Sequence, residues 1–400
     1  MFPPPPPWAH SVHSIGVTGT NGKTTTTTYL AYALAVLAAP VLRVTTVGSY
    51  LDQEKLTVSA DYSGFIEAME YSRHAGAKHA VLECTSEALA VGFAKAWPIS
   101  MGVFTNLTRD HFDGHGSAEH YLASKAQLFL HLPRDGVAIL NAYDSASSLL
   151  AEIIPTGVRI VTYGLPSRSS RPPVRAVDLT ADHVEIDWSG THVKLRASER
   201  FGEVNRMMHL RAIGDVYAEN ALAALAAAVE AGVPLDAAVR ALERAHVVPG
   251  RFEVYGNGPR GVVDYGHSPD ALERTLRTAR KLCPGKLVVV FGAGGGRDRG
   301  KREPMGRAAA IADRVLITTD NPRNEDPALI AAEIQRGLEG HSAVEIILDR
   351  EAAILSALSA CSSDDVVVVA GRGPETMQVW GAETRWLADA DVVRRALNRT

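Results

Sequence analysis

The chain has 400 residues, 46% of them hydrophobic, with 41 Lys and Arg against 45 Asp and Glu and a formal net charge of -4. That length supplies core for two or three domains, and the mild acidity argues against nucleic acid or an anionic membrane as the main partner. No uninterrupted apolar run is long enough to span a membrane, and Met1 to Trp8 lacks the basic and apolar regions of a signal peptide, so the cytoplasm is the expected compartment. Cys84, Cys283 and Cys361 are too widely spaced for a disulfide framework or a metal motif and are expected to be buried thiols.

In chain order, residues 1–13 form a Pro-rich leader, expected to be extended and poorly ordered. Ser14 to Thr18 is short and β-compatible, and Thr24 to Leu37 is rich in Ala, Leu and Tyr and reads as a helix. Between them lies Gly16-Val17-Thr18-Gly19-Thr20-Asn21-Gly22-Lys23-Thr24-Thr25. Strand, Gly-rich loop and helix make a phosphate-binding loop: small residues let backbone N–H groups turn toward an anion, the Lys23 ammonium suits the β and γ phosphates, and the Thr24 hydroxyl suits Mg²⁺. The spacing departs from the strict G-x-x-x-x-G-K-[ST] pattern, because Val17 stands where the first Gly would be.

Further along, Ala80 to Glu83, Met101 to Thr105 and Val137 to Leu140 each follow a helix-compatible stretch, which predicts a mostly parallel sheet covered by helices. Val174 to Leu179, His183 to Trp188 and His192 to Leu195 read as hairpin strands attached to that sheet. Asn220 to Ala231 is an Ala-rich helix, and Val247 to Gly250 is a turn that separates domains. The βα alternation then restarts, with strands expected at Gly261 to Tyr265, Lys286 to Gly292, Arg314 to Thr318, Val344 to Leu348 and Asp365 to Ala370. The expected fold is α/β: a central P-loop domain over residues 14–248 with a mostly parallel sheet, and a C-terminal Rossmann-like domain over residues 249–400.

Glu83 ends an apolar strand, where a carboxylate is well placed to hold Mg²⁺, although a solvated loop acid has the same sequence appearance. Thr105 to His115 carries Asp110, His111, Asp113 and His115 within six residues, which suits a metal or phosphate site and equally a set of turns and caps. Gly292 to Arg302 is a Gly-rich basic loop after a strand, a form that binds anions.

The succession of GTNGKTT, the strand-end Glu83, TNLTRDHFDGHG and Tyr121 to Lys125 resembles the Mur ligase family, ATP-dependent amide ligases of peptidoglycan synthesis. Within it the chain is most similar to the MurE type, which adds diaminopimelate or lysine to UDP-N-acetylmuramoyl-alanyl-glutamate, and the likeness runs from about Gly16 to the C-terminus. The resemblance implies that Gly19, Thr20, Asn21, Gly22, Lys23, Thr24 and Thr25 cradle ATP, with Thr24 and Glu83 on a first Mg²⁺ and His111 on a second. Lys125 matches a family lysine that reacts with CO₂ to give a carbamate, an anion able to help hold that second metal. Asn220 matches an adenine contact, with Tyr217 standing in place of the motif's earlier Asn. Arg251 of Pro249-Gly250-Arg251-Phe252-Glu253 would reach the ATP phosphates, and Asp264 and His267 would lie near the ribose. Lys23, Glu83, His111, Lys125 and Arg251 form the implied catalytic set.

Asp320-Asn321-Pro322-Arg323 looks like the motif by which diaminopimelate-adding members differ from lysine-adding ones. Diaminopimelate carries a carboxylate at its far end that an Arg fork recognises, whereas lysine ends in an ammonium. Arg297, Asp320, Asn321, Arg323, Gly371 and Glu375 are thereby implied to hold the amino acid, Glu375 facing its distal ammonium. The implied reaction makes an acyl phosphate from a carboxylate and ATP, which an amine then attacks.

The chain departs from the family pattern at Pro374, usually His, at Gly296, usually Asp, and at Glu87, usually His. Leu56 to Asp61 replaces an NTT-containing stretch. MurE-type members also carry an N-terminal domain of about one hundred residues that binds uridine diphosphate, and here the phosphate loop starts fifteen residues from Met1. The expected acceptor is therefore a carboxylate that lacks UDP. Two alternatives remain: a partner subunit that supplies uridine binding to an ordinary precursor ligase, or a non-catalytic ATP-binding partner that uses domain closure.

Overall fold

The computed structural model describes residues 2–108, 117–169, 171–202 and 206–398. They cluster into two compact units: one runs up to His246 without Ala212–Gly214, and the other is formed by those three residues and the chain from Val247 onward.

The first unit is built on an eleven-stranded sheet in the order β11-β10-β9-β8-β7-β6-β1-β5-β2-β3-β4. In chain order its strands are β1 (His13–Thr18), β2 (Val41–Thr45), β3 (Gly48–Leu51), β4 (Glu54–Lys55), β5 (His79–Glu83), β6 (Met101–Phe104), β7 (Val137–Asn141), β8 (Arg159–Tyr163), β9 (Leu179–Asp187), β10 (Gly190–Ala197) and β11 (Arg206–Leu210). From β2 across to β9 all neighbours are parallel, and only the two margins are antiparallel. β6 and β7 are buried at every position, the continuous apolar pattern of strands covered on both faces. The Lys23–Leu34 helix packs against the Asp215–Glu230 helix, whose Ala-rich sequence lets two backbones approach closely and leaves Tyr217 to Ala228 wholly buried.

Two expectations are corrected. The leader lacks regular structure as far as Pro6, turns and forms a short 3₁₀ helix at Ala9–Ser11, and it is held: the Phe2 ring lies 4.6 Å from Tyr62 and 5.9 Å from Phe93, Trp8 lies 6.1 Å from Trp97, and Ala9 is completely buried. The Phe2 and Trp8 rings are partly buried, so each contributes less than the about 1.5–3 kcal/mol of full burial, and a stiff proline run has little entropy to lose on docking. Val174 to Asp178 is not a strand either. The Asp178 carboxylate accepts from the Thr162 amide (2.9 Å) and hydroxyl (3.0 Å), and ladder pairing with β8 begins only at Leu179.

The second unit holds a six-stranded sheet in the order β12-β13-β17-β14-β15-β16, from β12 (Glu253–Tyr255), β13 (Arg260–Asp264), β14 (Leu287–Phe291), β15 (Arg314–Ile317), β16 (Val344–Ile346) and β17 (Val366–Ala370). All of its pairs are parallel except β12 with β13. A separate hairpin joins β18 (Met377–Trp380) to β19 (Glu383–Trp386). Because β13, β17, β14 and β15 run parallel, the segments leaving them emerge at one edge, the place where open α/β sheets bind ligands. Cys84 and Cys283 are buried as expected, and Cys361 is partly exposed. Burial pushes the Cys84 thiol up to about 12.

Candidate active site

In the first unit the phosphate loop is shaped by the neutral groups it touches rather than by charge. Gly19 has φ +146° and Gly22 φ +86°, left-handed values that favour glycine. A Cβ on Gly19 would overlap Thr105 Oγ1, and one on Gly22 would overlap Asn220 Oδ1. The turn after β6 then braces the loop: Asn21 N donates to Asn106 Oδ1 (3.0 Å), while Asn106 Nδ2 (3.1 Å) and Thr105 Oγ1 (2.7 Å) donate to the Asn21 carbonyl. Thr20 N donates to the Asn106 carbonyl at 2.8 Å. Lys23 begins the helix, Thr24 and Thr25 are buried in its first turn, and no acid stands there to compete for an anion. Lys23 Nζ rests on the Thr20 carbonyl at 2.8 Å.

Glu83 is level with the end of β1, paired with Val17. Thr24 Oγ1 donates to Glu83 Oε2 at 2.9 Å, and Thr46 donates to the same carboxylate from its amide (3.2 Å) and hydroxyl (3.3 Å). A hydroxyl and a carboxylate at one spot are hard oxygen donors of the kind Mg²⁺ takes, so Thr24 and Glu83 fit that ion. Thr46 was missed in the sequence, where nothing marks a turn threonine as facing the end of the neighbouring strand β5, which comes 37 positions later. Among the described residues, no group of three or more His, Cys, Asp or Glu gathers to hold a metal by itself. Lys125 is buried on the Ala118–Leu130 helix, its Nζ 2.9 Å from the Gly19 carbonyl and 4.1 Å from the Tyr121 ring centroid. His111 lies outside the described residues, as do Asp110, Asp113 and His115. Asn220 is buried under Gly22 and beside Glu219, whose carboxyl burial raises and which stands 3.4 Å from Arg168.

In the second unit the expected ATP residues meet at the ends of β13 and β17. The Arg251 guanidinium stacks 4.3 Å from the Tyr265 ring, and its Nη1 is buried without a hydrogen-bond partner among the described residues. Asp264 is occupied by the fold: its oxygens accept from Phe252 N, Gly266 N and Thr275 Oγ1, each at 2.8 Å. His267 Nδ1 pairs with the Tyr265 carbonyl at 2.9 Å.

The amino-acid set also converges. Asn321 Nδ2 donates to Asp320 Oδ1 (3.0 Å) and to Glu375 Oε2 (2.9 Å), so one amide joins two carboxylates. Val379 N donates back to Asn321 Oδ1 at 2.9 Å, locking the amide in place. Gly371 N donates to the Asp264 carbonyl (3.1 Å), which ties this cluster to the previous one. Arg323 has φ +52° and reaches the Gly295 carbonyl at 2.8 Å. Arg323 Nη1 and the Cγ of exposed Arg297 flank Gly294, at 3.0 and 3.7 Å from where its Cβ would stand. Burial and nearby Asp320 raise the Glu375 carboxyl, against the Asn321 hydrogen bond. The cluster is acidic at one end and basic at the other.

Three buried charged groups beneath it were missed in the sequence: Arg350 and Asp389, joined by bonds of 2.8 and 2.7 Å, and Arg372. A charged residue on a helix, like Arg350 and Asp389, or in a loop, like Arg372, reads as solvated, and no local pattern marks these as interior.

Residues 17–228 match the Mur ligase middle domain, and residues 250–373 match the glutamate ligase domain of Mur ligases. Two curated relatives carry the name UDP-N-acetylmuramoyl-L-alanyl-D-glutamate--2,6-diaminopimelate ligase. The one from Bacillus velezensis is 38% identical over 330 residues, covering 80% of this chain and 64% of the relative. The one from Thermosynechococcus vestitus is 38% identical over 328 residues, covering 81% and 63%. A solved structure of a ligase of the same name superposes with a TM-score of 0.65 at 32% identity, covering 97% of this chain and 78% of that one. The chain spans just under two thirds of the length of these two curated relatives.

Proposed function

The chain belongs to the Mur ligase family, and on that footing we propose that it is an ATP-dependent ligase joining a diaminopimelate-like amino acid to a carboxylate acceptor. The observation that carries the reading is the two-ended cluster of Asp320, Asn321 and Glu375 with Arg297 and Arg323. Carboxylates suit an ammonium, and guanidinium groups suit the far carboxylate that distinguishes diaminopimelate from lysine.

In this reading the acceptor carboxylate attacks the γ phosphorus, the new O–P bond forms and ADP leaves. The amine then attacks the acyl carbon, gives up its proton, and phosphate departs from the tetrahedral intermediate. Both steps concentrate negative charge, which preorganised donors stabilise. Lys23 exchanges the Thr20 carbonyl for phosphate oxygens, and the loop amides and helix N-terminus hold the β phosphate. Thr24 and Glu83 would hold Mg²⁺, which when bound neutralises phosphate charge. Lys125 is proposed to be carbamylated: its ammonium releases one proton to become an amine and a second as the nitrogen bonds CO₂, so a cation becomes an anion. One N–H remains, so its bond to the Gly19 carbonyl can persist while the new carboxylate serves as an anion.

A second reading concerns the acceptor. The relatives' names favour a UDP-linked dipeptide, which a partner subunit could help to hold. No helix among the described residues is long and apolar enough to cross a membrane. ADP release tests both readings, with UDP-linked dipeptide, UDP-free dipeptide and muropeptide as acceptors, each with and without diaminopimelate. Release that needs diaminopimelate is expected. Turnover with UDP-linked dipeptide alone selects the second reading, and no amino-acid-dependent release with any acceptor overturns the proposal.

A further inference from the structure

Arg372 is fully buried, and of its guanidinium only Nη2 has a hydrogen-bond partner among the described residues, the Leu387 carbonyl at 3.0 Å. Nε and Nη1 have none, and Nε lies 3.9 Å from Glu375 Oε2. A buried cation with two unmet donors is costly, so it is retained for its charge rather than for its bonds. Its accessibility sets it apart from Glu375: the Glu375 side chain is 37% exposed and can meet a ligand, whereas that of Arg372, at 0%, cannot.

The charges around it explain what it does. Arg350 and Asp389 neutralise each other through two hydrogen bonds. Asp320 and Glu375 share the single amide of Asn321, which brings two like charges together, and His267 faces Glu375 from the segment after β13. Like-charged carboxylates at one site drive one of them to bind a proton unless a cation offsets them. Protonated, Glu375 would lose its attraction for an ammonium.

We propose that Arg372 is a positioning residue for the amino-acid cluster: its buried guanidinium keeps Glu375 ionised beside Asp320, so the group presents one net negative charge to the ammonium of the incoming amino acid. The choice of ligand rests on the function proposed above; the link from Arg372 to Glu375 does not.

The experiment therefore has two arms. In the first, the Glu375 carboxyl is followed by ¹³C NMR through a pH titration, its signal identified by its loss in Glu375→Gln. Arg372→Met should move its midpoint up by about one pH unit, a tenfold gain in proton affinity, and Arg372→Lys should leave it near the wild-type value. If Arg372→Met does not fold, Arg372→Gln keeps a donor for Leu387 without the charge and gives the same readout. An unmoved midpoint in either folded neutral variant overturns the proposal.

In the second arm, KM for diaminopimelate in Arg372→Met should approach tenfold above wild type at pH below the wild-type midpoint read in the first arm and close toward it above the variant's midpoint, with KM for ATP unchanged. In a Glu375→Gln background the Arg372 substitution should add nothing. A pH-independent rise in both KM values would mark a merely structural role and overturn the proposal. Wild-type protein without amino-acid-dependent ADP release would instead sink the function proposed above, and the NMR arm would still decide on Arg372.

Discussion

The phosphate loop and the cluster proposed to hold the amino acid are built in opposite ways. The loop is made of one contiguous stretch, held by neutral hydrogen bonds from Thr105 and Asn106, with Lys23 as its ammonium. The cluster is drawn from segments after three different strands and is dense with charge, including Arg350, Arg372 and Asp389 that no solvent reaches. Neutral bracing fixes geometry and leaves the ligand's charge to be met by a helix terminus and a lysine. A charged cluster suits the selectivity proposed for it, and it must balance its own charges first.

That contrast can be broken at either end. The largest effect is expected from Asp389→Ala, which strands the Arg350 guanidinium in the interior. Unfolding by denaturant should show a loss of about 3–5 kcal/mol, while a surface partner such as Arg385, paired with Glu383, should cost under about 1 kcal/mol when removed. Next, Lys23→Met should lower ADP release by about 10²- to 10³-fold with the circular dichroism unchanged. If the loop's neutral bracing were enough for phosphate binding, the loss would be slight.

Arg323→Ala should raise KM for the amino acid by about tenfold to a hundredfold, the worth of a charge-assisted hydrogen bond, and leave KM for ATP within about twofold. Equal effects on both would place Arg323 in the wrong pocket. The smallest effect concerns acid. The Arg302 hydrogen bond, aided by the Gly296 amide, lowers the Glu325 carboxyl from 4.5 to about 2. A depressed carboxyl contributes stability above its unfolded value, and that contribution fades as pH falls from about 4.5 toward 2. Melting temperatures of wild type and Glu325→Gln should therefore converge across that range; a constant gap would mean that the charge of Glu325 does not matter.

The sequence by itself determined what is local. The P-loop, the strand end at Glu83 and the valine-rich strands of the second unit announce themselves because turn geometry, side-chain period and burial on both faces are written in consecutive residues. The expected strands at Val137 to Leu140 and Asp365 to Ala370 fall on β7 and β17 to within a residue at each end. Where the local signal pointed elsewhere, as at Val174 to Asp178, the Thr162 to Asp178 bonds prevailed over strand propensity. The proline run likewise spoke for disorder, and only the aromatic wall of Tyr62, Phe93 and Trp97 held it down.

Tertiary structure alone decided which polar groups meet. Thr46 reaches Glu83 across 37 positions, and Asn321 reaches Glu375 across 54. Arg372 became an interior charge because the chain between β17 and the Leu387 carbonyl folds over it. Local pattern sets an element's type, but the charge state of a site is a sum over every group the fold brings within a few ångströms, and that sum has no counterpart in any single stretch of sequence.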